Sequence, residues 1–98
     1  MKIAVSADGS DLDARVADRF GISAYLIIVD PKTMEFESVP NPGASGKRAA
    51  GIQTVVLAIS KVVDAVLTGY LSPTAMKYLT NNGIEVITGV KGTVSAAV

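Results

Sequence analysis

The chain contains no cysteine and no histidine. Without thiols it forms no disulfide, offers no thiolate nucleophile and cannot hold an iron–sulfur cluster through protein sulfur. Zinc sites built from Cys and His are excluded as well. So is imidazole, the commonest acid–base group near neutral pH. A dominant charge is also missing. Nine Lys plus Arg balance nine Asp plus Glu, so no net field draws the chain to nucleic acid or acidic lipid. No apolar run approaches the ~20 residues of a membrane span. The N-terminal MKIAVSADGS carries too short an apolar run for a signal peptide. The expectation is a cytoplasmic protein that binds neither nucleic acid nor membrane.

What is present suits a small folded domain. The composition is 49% hydrophobic and 18% charged over 98 residues, which argues against disorder. A chain of this length buries roughly 60–65% of its unfolded surface, and it is read as a single domain over residues 1–98. Its acids are unevenly placed: Asp8, Asp11, Asp13, Asp18, Asp30, Glu35 and Glu37 all precede residue 40.

Hydrophobic period divides the chain. Residues 2–7 (KIAVSA) read as a buried strand ending at the Asp8-Gly9 turn, and residues 8–23 as a polar loop. Residues 24–30 (AYLIIVD) are too short for a helix and rich in strand formers. Asp30-Pro31 then opens a turn, and residues 35–39 form a partner strand closed by Pro40 and Pro42. Charge and a terminal proline suit a sheet edge.

From about Gly46 the period becomes helical, with Ala49, Ile52, Val55, Val56, Ile59 and Val63 expected on one face. Residues 64–68 (DAVLT) form a strand. Ser72-Pro73 caps and opens a second helix, with Ala75, Met76 and Leu79 as its stripe and Asn82-Gly83 as its stop. A strand at 84–88 and a short helix from Thr93 complete the chain. The order β-β-β-α-β-α-β-α places antiparallel strands first and helix-linked parallel strands after them. That is an α/β sandwich on a mixed sheet.

Four stretches stand at matching order and spacing: MKIAVSADG, DRFGISAYLIIVD, NPGASGKRAAGIQ and DAVLTGYLSPTAMKYLTNNGIEVITGVKGTV. Together they resemble the dinitrogenase iron–molybdenum cofactor biosynthesis family over nearly the whole chain. The resemblance implies a ribonuclease-H-like fold with a five-stranded mixed sheet flanked by helices. It implies a non-enzymatic carrier or accessory protein. The cofactors it implies are iron–molybdenum cofactor or an iron–sulfur cluster precursor. Another small anion is a ligand open to the same reading; the alternative is an interaction or regulatory module with a protein partner, which keeps the fold after losing the cofactor donors.

The resemblance also marks the turn in VADRFGIS, where metallocluster-binding relatives often carry His beside the Phe. This chain has Arg19 before Phe20-Gly21. Arginine is no metal donor, but its five N–H groups can grip an anion. On the structural reading, Arg19 pairs with Asp18 or a neighbouring acid, Phe20 packs inward and Gly21 supplies the turn. Gly69, Tyr70 and Ser72 form a second candidate segment, leaving a strand's carboxyl end for a helix N-terminus, where open α/β sheets favour ligands. Tyr70 is placed either to stack on a ligand or to pack its ring. Met76, a soft donor, falls at core spacing.

Gly46 begins a third candidate segment. Gly43, Gly46 and Lys47 fail the Walker A pattern, since Asn41 and Arg48 stand where Gly and Ser or Thr are needed. Backbone N–H groups at the start of the first helix, with Lys47 and Arg48 beside them, remain able to hold an anion. The acidic loop of Asp8, Asp11, Asp13 and Asp18 fits neither a calcium loop nor a two-metal nuclease, because the first helix adds no acid.

Overall fold

The computed structural model describes residues 1–46 and 50–98. Five strands are observed: β1 (Ile3–Ala7), β2 (Tyr25–Val29), β3 (Phe36–Pro40), β4 (Ala65–Leu67) and β5 (Glu85–Ile87). They form one sheet in the order β3-β2-β1-β4-β5. β1 lies at its centre. It pairs antiparallel with β2, Ile3 opposite Val29, and parallel with β4, Ile3 opposite Ala65. β3 is antiparallel to β2 and β5 parallel to β4. The mixed, ribonuclease-H-like sheet read from the sequence is therefore the one observed.

The physical reason lies in the runs themselves. The apolar stretches of β1, β2 and β4 are buried almost throughout, as central strands require. β3, with Glu37 and Pro40, is largely open and occupies an edge. One sheet face packs Ala4, Leu26, Ile28 and Val66 beneath α1 (Ala50–Ser60) and α2 (Pro73–Asn81). The other packs Val5, Ile27, Val29 and Leu67 beneath Val16 and Val94, the latter opening α3 (Val94–Ala97).

Local signals set α2 as expected. Ser72 caps it by accepting from the Ala75 N–H at 3.2 Å, and Pro73 is its first residue. At its end the Gly83 N–H bonds to the Thr80 carbonyl at 3.0 Å and the Ile84 N–H to the Leu79 carbonyl at 3.1 Å. Gly83 takes φ +75 there, completing the left-handed helix stop.

The first helix departs from its reading. Residues Pro42–Ser45 form a 3-10 turn, with Gly46 as its left-handed cap at φ +69. The described helix begins at Ala50, and Lys47, Arg48 and Ala49 lie outside the described residues. Its buried stripe is Ala50, Thr54, Val55 and Ala58. Ile52 and Val56, expected in the core, are 40% and 59% exposed. Small side chains are what let α1 approach the sheet, and the buried Thr54 hydroxyl is satisfied by hydrogen bonds. Val55, Ile59 and Val63 reach the core as expected, so a pattern based on apolar character alone misplaces only part of that face.

Candidate functional site

The turn 19–22, the start of α1 and the loop from β4 to α2 meet around a cleft of about 210 Å³. Arg19, Phe20, Gly21 and Ile22 line it from the turn, and Gly51 lines it from α1. Tyr70, Leu71 and Ser72 line it from the loop after β4, and Ala75 lines it from α2. Five candidate residues from the sequence thus converge: Arg19, Phe20, Gly21, Tyr70 and Ser72.

Gly46 and Gly69 do not line this cleft. Gly69 serves packing instead. A Cβ on it would lie 2.5 Å from the Asp18 carbonyl oxygen and 3.0 Å from that of Ala17. Its absence allows the Gly69 N–H to reach the Ala17 carbonyl at 3.2 Å and the Phe20 N–H to reach the Tyr70 carbonyl at 2.8 Å. Arg19 and Tyr70 stand side by side in a parallel bridge. The anion site expected at Lys47 and Arg48 lies outside the described residues.

A buried polar network holds the turn. The Asn41 amide donates to the Ser23 carbonyl at 2.9 Å, and its oxygen accepts from the Gly43 N–H at 3.0 Å. The Ser23 hydroxyl donates to the Phe20 carbonyl at 3.0 Å. The Thr54 hydroxyl stands 2.9 Å from the Gly21 carbonyl and 3.0 Å from the Asn41 oxygen and the Ala50 carbonyl. Its single proton serves these acceptors one at a time. Asn41, Ser23 and Thr54 were not candidates, since nothing in their local sequence marks them.

The side chains divide by role. Phe20 is fully buried and anchors the turn in the core. Arg19 is exposed and makes no ion pair; among the described residues the ion pair present is Lys61 with Glu37 at 3.1 Å. The pairing of Arg19 with an acid, expected on the structural reading, is not observed. Tyr70 is 58% exposed, so its ring is offered to the cleft rather than packed away. The Ser72 hydroxyl oxygen accepts from the Ala75 N–H as it caps α2, yet a hydroxyl retains its own proton to donate. Met76 packs against the core, as its spacing suggested.

Arg19 also borders a second concavity of about 300 Å³ that it shares with Asp8, Asp18 and Ile22. Two carboxylates there repel an anion, whereas the first cleft has no acid in its lining. Among the described residues, no group of three or more acids is placed to share a metal ion. No helix among them is long and apolar enough to cross a membrane.

The molecule is thus a small α/β protein with a cationic, largely apolar cleft at the carboxyl end of its β4 strand. The chain belongs to the dinitrogenase iron–molybdenum cofactor family, which matches residues 1–98. It is similar to the apo form of the orange protein from Desulfovibrio gigas, with 36% identity and a TM-score of 0.91. That match covers 98% of this chain and 82% of the other. It is also similar to a putative NifB protein from Thermotoga, with 30% identity and a TM-score of 0.79 over 98% of this chain and 82% of that one. No curated protein matches significantly.

Proposed function

We propose that the chain is a non-enzymatic carrier that holds an anionic ligand in the cleft between Arg19 and Tyr70. The ligand class is a preformed metallocluster related to iron–molybdenum cofactor, or another anion of similar size, carried as cargo. One observation carries the reading: an exposed, unpaired guanidinium stands at the rim of an apolar cleft without an acid in its lining. Apolar walls lower the local dielectric and strengthen its hold on an anion.

The donor set decides what kind of cargo fits. The lining offers a guanidinium and two hydroxyls but no thiolate, imidazole or carboxylate. A bare metal ion has no ligand set there, whereas a cluster that brings its own ligands needs only charge, hydrogen bonds and shape. Family membership and the likeness to the orange protein support this reading. Anaerobic titration with isolated iron–molybdenum cofactor, beside Fe²⁺ and Zn²⁺ alone, tests it. Uptake of the cofactor and not of the bare ions is expected; uptake of the bare ions alone overturns it.

A second reading is an interaction module of the same fold that no longer carries a cofactor. The exposure of Ile52 and Val56, one turn apart on α1, favours it, because such apolar side chains gain from being covered by a partner.

A further inference from the structure

We infer that Gly51 leaves room in the cleft for the carried anion, an inference that rests on the carrier reading above. Alanine suits a helix better than glycine, so a glycine in the first described turn of α1 calls for a reason. For the other glycines the protein itself supplies one. Gly46, Gly83, Gly89 and Gly92 take positive φ, and a Cβ on Gly9, Gly21, Gly43 or Gly69 would crowd a neighbour.

Gly51 has neither reason. Its φ is not positive, and a Cβ built on it meets nothing within 4 Å among the described residues. It nevertheless lines the cleft close to Gly21, whose own Cβ would approach the Gly51 Cα to 3.1 Å. The missing side chain leaves open space at a residue that lines the site, and no part of the described protein uses that space. A methyl group there would narrow a cleft of only about 210 Å³ without disturbing the fold. The room at Gly51 therefore belongs to the ligand.

The test compares the parent with Gly51→Ala, Gly51→Met and Arg19→Ala, each titrated anaerobically with isolated iron–molybdenum cofactor and each melted thermally. Gly51→Ala should melt no lower than the parent yet bind the cofactor roughly 10- to 200-fold more weakly, the range for one added carbon in a fitted pocket. Gly51→Met should bind more weakly still. If Arg19→Ala loses affinity while both Gly51 variants bind like the parent, the inference fails and the carrier reading stands. A lower melting temperature for Gly51→Ala shows a structural glycine and also overturns the inference. Absence of cofactor binding by the parent removes the carrier reading and this inference together.

Discussion

The Phe20 N–H donates to the Tyr70 carbonyl at 2.8 Å, which ties the turn presenting Arg19 to the loop presenting Tyr70 through the backbone alone. Main-chain bonding of this kind does not depend on either exposed side chain. The two walls of the cleft are thus set by the fold, and Arg19 and Tyr70 are free to be replaced without moving them.

Gly69 makes that junction close. Gly69→Ala would place a Cβ 2.5 Å from the Asp18 carbonyl oxygen, and backbone must shift to relieve it. A loss of about 1–3 kcal/mol is expected, as for other overpacked sites. Urea denaturation checks this, and an unchanged midpoint would show that the 17–18 segment yields freely.

Asn41 holds the turn from the other side. Asn41→Ala removes the acceptor of the Gly43 N–H and the donor to the Ser23 carbonyl, leaving polar groups unsatisfied at a buried site. The expected loss is about 1–3 kcal/mol. Amide exchange should also speed up at residues 20–23, because the Ser23 and Gly21 contacts loosen together.

Much of this was legible in the sequence where the cause is local. Ser72-Pro73 and Asn82-Gly83 mark both ends of α2 because capping involves residues only a few positions apart. The strands of the central sheet announce themselves as apolar runs. The family resemblance pointed to the turn and to the 69–72 loop. The Asn41 network was not legible, since its partners lie 13 and 18 residues away in sequence and polar residues in a loop look alike. The face of α1 was read in part: Val55, Ile59 and Val63 reach the core, but Ile52 and Val56 are exposed and the small Ala50 and Ala58 are buried in their stead. Gly51 gave no sign until the cleft was in view.

Backbone conformation supplies a paired prediction. Val62 is 78% exposed and takes φ +55 just beyond α1, an unfavourable region for a β-branched residue. Val62→Gly should raise stability by about 1 kcal/mol, as relief of a strained residue. Gly83→Val does the reverse at φ +75 and should lower it by about 1–3 kcal/mol. Thermal melts of both variants check the signs, and a destabilised Val62→Gly would show that the valine side chain is held by contacts worth more than the strain.

The carrier reading stands or falls on Arg19. Equilibrium titration of the parent and of Arg19→Ala with isolated iron–molybdenum cofactor, under anaerobic conditions, measures its contribution directly. Arg19 is exposed and unpaired among the described residues, so the variant should fold and melt as the parent does. Its affinity should nevertheless fall by about 1.5–3 kcal/mol, the range for hydrogen bonds to a charged partner. Equal affinity in the two proteins would contradict the reading, because the cleft would then hold its ligand without the guanidinium of Arg19, the one cation among the described residues that line it.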